Sequence, residues 1–280
     1  MHEVLSAVPK RMRADAVWLL SSLLKMSKTE LLLEGRRELS GAESGVFNRW
    51  WSRRMKGQPL QYVAGSAPFY GRDFRVDRRV LIPRPETECL VELALGLLRD
   101  RPSARVLEIG TGSGAIAITL GLEMAGLTIT ATDWSRSALR VAVRNANELG
   151  ASGISFQRQN LFSPVLRQKG WDLVISNPPY LEFGRDYIAP DVKKYEPRVA
   201  LEPSPQVGRG LGITRAAWCA ERILQGCEEC RPAYTALELS PRVALFLERR
   251  WKKRDSVKRA WREADLAGRK RFLLVSWKET

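Results

Sequence analysis

The stretch Trp171 to Tyr180, WDLVISNPPY, carries the residue types best suited to chemistry. Its apolar run to Ser176 reads as a short buried strand. Asn177-Pro178-Pro179-Tyr180 ends that strand, because two prolines cannot donate to a ladder. The rigid turn that follows holds the Asn177 amide and the Pro178 carbonyl as fixed acceptors, with the Tyr180 ring beside them. Two acceptors and a flat ring suit a planar NH2 group. The competing reading is a plain strand cap.

Upstream, Arg105 to Ile109 reads as a strand that Gly110-Thr111-Gly112-Ser113-Gly114 turns into a helix from Ala115 to Leu122. Glycines let backbone approach a ligand closely, and a helix N-terminus offers unpaired N–H groups. The GxGxG spacing fits a nucleoside-methionine ligand better than a pyrophosphate, and there is no Walker lysine. Glu108 at the strand end is placed to meet the amino group of a zwitterionic ligand. Asp133 follows the next strand, Leu127 to Thr132, about 20 residues past the loop, where a carboxylate can take both hydroxyls of a ribose. Trp134 is then placed to pack on a purine face, and Asn160, after the strand Ile154 to Gln157, to read an adenine edge. Four strand ends thus present Gly110, Asp133, Asn160 and Asn177 along one edge of a parallel sheet, where doubly wound α/β proteins bind ligands.

The elements around this edge are legible in outline. Helical spacing marks Val17 to Leu24, Thr29 to Leu33 and about Ala42 to Lys56, and Gly57, Pro59, Gly65 and Pro68 put a boundary near residue 70. Phe69 to Ile82 reads as a β-hairpin. Pro85 then opens a helix through Leu98, with Glu86 or Thr87 serving its first amides and Arg84 and Glu86 bordering a pocket. The stretch from Tyr180 to about Gly210 is polar, poor in regular structure and long enough to be a substrate loop. A helix from Gly212 to Gln225, the strand Ala233 to Leu239, a basic helix from Pro241 to Lys253 and strands near Val257 to Glu263 and Arg271 to Trp277 complete the chain.

At 280 residues with 44% hydrophobic content, one large domain and a small one are expected. Lys and Arg number 46 against 31 Asp and Glu, so the surface at +15 favours acidic proteins, nucleic acid or the ribosome. The run Arg249 to Arg271 reads as a solvated face rather than a binding patch. Cys89, Cys219, Cys227 and Cys230 form no disulfide framework, and without a signal peptide or a spanning apolar run a reduced, cytoplasmic protein is expected. The lone CxxC at 227 to 230 and the single His2 argue against a metal site or a histidine base.

LIPRPETECLVE at 81–92, VLEIGTGSGAIAI at 106–118, ATD at 131–133, VISNPPY at 174–180, YEPRVAL at 195–201 and DLAGRKR at 265–271 together resemble the release-factor glutamine methyltransferases, the PrmC or HemK family. The resemblance implies a Rossmann-like class I S-adenosylmethionine-dependent methyltransferase fold. It also implies a small N-terminal helical domain for substrate recognition (1–68), a hairpin linker (69–85) and a catalytic domain (86–280).

The implied reaction moves a methyl group from S-adenosylmethionine to the glutamine of the GGQ motif in peptide-chain release factors. Asn177 and Pro178 would be catalytic, with Pro179, Tyr180, Arg84 and Glu86 lining the substrate. Glu108, Gly110, Thr111, Gly112, Ser113, Gly114, Asp133, Trp134, Asn160 and Leu161 would hold the cofactor, with Asn177 touching it too. Asn160 stands where the family usually has an aspartate. A monomer is expected, with no stable nucleic-acid or membrane partner. Two other readings remain open at this point. One is methylation of adenine or guanine amino groups, since NPPY also marks such enzymes and a flipped base would be needed. The other is a basic ribosome- or RNA-binding module whose cofactor pocket has decayed.

Overall fold

The computed structural model describes residues 5, 8–34, 37–161, 163, 165, 168–203 and 214–279. His2, Phe162 and the expected helix start at Gly212 lie outside the described residues.

The N-terminal region contains helices α1 (Arg13–Leu24), α2 (Lys28–Leu33), α3 (Gly41–Met55) and α4 (Leu60–Ala64), the last of which has too short an apolar run to be legible. Ser27 and Ser40 begin α2 and α3 with capping boxes: each hydroxyl accepts from the third backbone amide, and Glu30 or Glu43 accepts from the serine's own amide. Leu19, Leu20, Phe47 and Val63 close a small core of their own.

The hairpin is shorter and earlier than expected. Strands β1 (Ser66–Phe69) and β2 (Arg72–Arg75) pair antiparallel across Tyr70 and Gly71, both at positive φ (50° and 71°) as a tight two-residue hairpin turn requires. Val80 and Ile82, expected in the hairpin, instead anchor an irregular segment against Tyr62, Val141 and Tyr195. The Tyr62 hydroxyl donates to the Val80 carbonyl at 2.5 Å, which occupies the chain away from any ladder.

Helix α5 (Pro85–Leu98) leads into the main sheet, built from β3 (Arg105–Ile109), α6 (Ala115–Glu123), β4 (Thr128–Asp133), α7 (Arg136–Leu149), β5 (Ile154–Arg158) and β6 (Leu173–Ser176). Short helices α8 (Pro190–Tyr195) and α9 (Arg198–Leu201) precede α10 (Trp218–Cys230), β7 (Tyr234–Glu238), α11 (Pro241–Trp251), β8 (Val257–Glu263) and β9 (Phe272–Trp277). The spatial order is β5-β4-β3-β6-β7-β9-β8. The first five strands are parallel, and β9 runs antiparallel to both β7 and β8. Strand order reverses between β3 and β6, and that switch point is where the glycine loop meets the Asn177 turn.

Both faces of the sheet's centre are covered, which is why β6 and β9 are apolar runs, whereas the edge strands β5 and β8 carry polar residues. Leu107, Val174 and Leu237 pack under α10 and α11 through Ile223 and Leu247. Val106, Leu173 and Ile175 pack against α5 and α6 through Leu90, Val91 and Ile118. Helix α10 runs five residues past the expected end, to Cys230, so the CxxC is part of a helix. Cys227 and Cys230 face that first core, where burial holds the Cys227 thiol well above its ordinary range.

Candidate active site

Strand β3 delivers Gly110 to the sheet edge, and the loop is pinned there from below. The amides of Gly110 and Thr111 both donate to the Thr132 carbonyl, at 2.8 and 2.9 Å, and the Thr132 hydroxyl donates back to the Glu108 carbonyl at 2.9 Å. The glycines then divide into two kinds. Gly110 (φ 76°) and Gly112 (φ 57°) would carry a Cβ into open space, whereas at Gly114 (φ 84°) a Cβ would fall 2.6 Å from Ile118 Cδ1 and 3.2 Å from Ala142 Cβ. Gly114 is therefore a packing glycine between loop and α7, and the open face lies over Gly110 and Gly112.

Glu108 is buried at 1% exposure and acts as a fastener. Its Oε2 accepts from the Thr111 hydroxyl at 2.6 Å and from the Ala117 amide at 3.1 Å, binding the loop to the first turn of α6. Burial pushes its carboxyl up to about 7, against the pull of those two donors. Below about pH 4.5 the group is protonated folded or unfolded. Between there and 7 the unfolded carboxyl ionises while the folded one keeps its proton, so stability falls as pH rises and the full penalty is present above 7. Glu108→Gln keeps an acceptor and removes the titration. It should take about 3 kcal/mol off the stability loss measured by urea denaturation between pH 4.5 and 8. An unaltered pH dependence would show that the buried charge is not felt.

Asp133 ends β4 beside the loop. Its Oδ2 accepts from the Gly112 amide at 2.9 Å and its Oδ1 from the Ser135 amide at 2.8 Å, so the carboxylate shapes the glycine loop as well as facing the edge. Trp134 is 57% exposed. Arg158 lies over one face of its ring at 5.0 Å, leaving the other as the stacking surface. Asn160 follows β5, and its Oδ1 accepts from the Ser163 hydroxyl at 3.2 Å while Ser163 Oγ accepts from the Asn160 amide at 3.0 Å. Leu161 packs against the core beneath.

The Asn177 turn closes β6, and the Ser176 hydroxyl donates to the Ile109 carbonyl at 2.6 Å, so turn and glycine loop are stitched together across adjacent strands. Pro178 is buried; Asn177, Pro179 and Tyr180 are half-buried. Asn177 Nδ2 donates to the Thr87 hydroxyl at 3.2 Å, and Thr87 donates to Glu238 at 2.7 Å. Thr87 thus does not serve the first amides of α5, as its place in the first turn suggested: its hydroxyl gives its hydrogen to Glu238 and accepts from Asn177 across the site.

Arg84 and Glu86, expected to border a pocket, each face a side chain of opposite charge. Arg84 is committed to Glu196, which accepts from its guanidinium at 2.6 Å and from the Ile82 amide at 3.3 Å. That pair ties the segment before α5 to the segment after α8, which supports the site's wall. Glu86 faces Arg271 at 3.9 Å. The part of the expected loop from Tyr180 to residue 203 holds two short helices and buried, paired acids, and its remainder to about residue 210 lies outside the described residues. Buried Glu182 accepts from the Ala216 amide at 3.0 Å, and buried Glu202 accepts from the Phe183 amide at 2.9 Å and from Arg198 Nε at 3.0 Å.

Glu238 and Glu196 are absent from the site residues picked out by sequence, and Thr87 was picked out only for the start of its helix. A signal for Glu238 was present: an acid closing an apolar strand at the same edge as Asp133 and Asn177. Among the described residues, no cluster of three or more His, Cys, Asp or Glu is arranged to hold a metal ion.

Residues 5–65 match the PrmC N-terminal domain and residues 89–189 the methyltransferase small domain. The release factor glutamine methyltransferase of Neisseria gonorrhoeae (strain ATCC 700825 / FA 1090) is 38% identical over 225 residues, covering 79% of each chain. The chain belongs to the release factor glutamine methyltransferase family. The family member from Bordetella pertussis (strain Tohama I) is 33% identical over 262 residues, 94% of this chain and 90% of that one. Among solved structures, the hMettl16 catalytic domain in complex with MAT2A 3'UTR hairpin 6 superposes with a TM-score of 0.56 at 15% identity, over 85% of this chain and 82% of that one. The N-terminal domain of human METTL16 in complex with SAH gives 0.52 at 17%, over 75% and 76%. These two share the methyltransferase fold with this family member.

Proposed function

We propose that this protein transfers a methyl group from S-adenosylmethionine to the side-chain amide nitrogen, N5, of the glutamine in the GGQ motif of peptide-chain release factors. The observation that carries this reading is the Asn177–Tyr180 turn at the switch point, stitched to the glycine loop, in a chain whose family members carry that activity in their name.

The donor set fits the cofactor. Open space over Gly110 and Gly112 admits a methionine moiety, Asp133 retains lone pairs for ribose hydroxyls, and Trp134 keeps one free face for a purine. Thr111, Ser113, Asn160 and Leu161 complete the wall. When bound, S-adenosylmethionine supplies an electrophilic methyl group.

The chain's own residues make a poor nucleophile usable. An amide nitrogen is unreactive because its lone pair is delocalised into the carbonyl. The Asn177 side-chain oxygen and the Pro178 carbonyl accept its two hydrogens, favour a pyramidal nitrogen and stabilise the positive charge that develops on it. Tyr180 and Pro179 hold the flat amide in place. The proton leaves after the nitrogen has become cationic and acidic, so no strong base is required beforehand. Residues 1–68 serve substrate recognition, and the described residues include no helix long and apolar enough to cross a membrane.

The test is incubation of the protein with isotope-labelled cofactor, a GGQ-containing release factor and, in parallel, ribosomal RNA and DNA. Mass spectrometry should place one labelled methyl on the GGQ glutamine. Label found only on exocyclic amines of bases, or nowhere, would overturn the assignment.

A further inference from the structure

Glu238 closes β7 as a carboxylate only 1% exposed, and no step of the reaction above employs it. Its partners come from three distant elements. Thr87 of α5 donates to Oε2 at 2.7 Å, the Tyr180 hydroxyl approaches Oε1 at 3.5 Å, and Arg271, just ahead of β9, stands 3.9 Å from the same oxygen. Arg271 is itself held by Asp265 at 2.7 Å and faced by Glu86 at 3.9 Å.

The polarity of this chain follows from donor counting. An ionised carboxylate only accepts, and a threonine hydroxyl has one hydrogen. That hydrogen goes to Glu238, so Thr87 offers Asn177 a lone pair. Only the amide nitrogen of Asn177 can face a lone pair, which matches Nδ2 at 3.2 Å. The amide cannot then turn over, and Oδ1 stays available as the acceptor.

We propose that Thr87 and Glu238 are positioning residues, which lock the Asn177 amide so that its oxygen is presented to the substrate NH2; this rests on Asn177 being the acceptor for the substrate amide. Burial pushes the Glu238 carboxyl up to about 7, with Glu86 adding to it and Thr87, Arg271 and Tyr180 opposing. Once protonated, Glu238 can donate to Thr87, whose hydrogen then points at Asn177 and invites the oxygen instead of the nitrogen. Turnover therefore falls on the acid side of the Glu238 titration.

Thr87→Val preserves volume and removes the hydroxyl. With a release factor as substrate, it should lower kcat about 10- to 100-fold, the effect of losing one buried polar partner. Cofactor Kd should be unchanged, and Thr87→Ser should restore kcat because it restores the hydroxyl. In Glu238→Gln, Arg271 claims the amide oxygen and the NH2 group donates to Thr87. The chain is then reversed at every pH, giving low kcat with no acid limb. Thermal midpoints of all three variants are measured alongside, and if Thr87→Val does not fold, Glu238→Gln decides.

Thr87→Val turning over like wild type, Thr87→Ser as impaired as Thr87→Val, or an acid limb unmoved in Glu238→Gln would each overturn the positioning role. A wild-type protein that methylates no release factor would instead overturn the proposed reaction.

Discussion

Replacing Asn177 by alanine is expected to lower kcat for methyl transfer to a release factor by about 100- to 1,000-fold, the range seen when one preorganised polar partner is removed from a developing charge. The reason lies in where the charge appears. The glutamine nitrogen is neutral in the ground state and cationic as the new bond forms, so an acceptor on its hydrogen is worth more in the transition state than on binding. The Pro178 carbonyl remains in Asn177→Ala and retains part of the effect. Cofactor affinity should stay close to wild type, because the glycine loop is held independently by Thr132 and Glu108. Single-turnover kinetics with equilibrium binding of S-adenosylhomocysteine separates the two quantities. An undiminished single-turnover rate would remove Asn177 from the chemistry.

Asp133→Asn should show the opposite split, raising the cofactor Kd by about 100-fold while leaving kcat at saturating cofactor much less affected. Both carboxylate oxygens of Asp133 already accept backbone amides, from Gly112 and Ser135. An asparagine must place its NH2 against one of those N–H groups, so the variant loses a ribose acceptor and also disturbs the loop at Gly112. Isothermal titration reads the change directly. A Kd close to wild type would mean that the ribose is held elsewhere.

The strand-end residues were readable because each depends on a local pattern. An apolar run that stops at Gly, Asp or Asn-Pro reports a strand that stops there, and parallel strands joined by helices bring such ends to one edge. The same logic brought Gly110, Asp133, Asn160 and Asn177 to one edge, whereas their spatial order, Asn160, Asp133, Gly110, Asn177 along β5-β4-β3-β6, came from the strand pairing. Local patterning failed where a residue's partner was remote. Nothing in the local pattern announces that Arg84 pairs with Glu196, and the polar stretch after Tyr180 reads as unstructured until, in its part up to residue 203, its acids meet Ala216, Phe183 and Arg198. The hairpin was placed late because Val80 and Ile82 are apolar for the sake of Tyr62, not for a ladder.

The amino-acid order alone therefore determined the doubly wound sheet and the residues that end its strands, since periodicity and strand-stopping residues act over a few positions, and its motifs carried the resemblance to the family. Tertiary structure decided which of those residues are free to meet a ligand and which are occupied. It separated Gly110 and Gly112, open above, from Gly114, packed against Ala142, and it made Glu108 a fastener of the loop. It also joined Thr87 to Glu238 across 151 residues of chain. Hydrogen-bond polarity is a property of who stands next to whom in space, and no spacing along the chain encodes it.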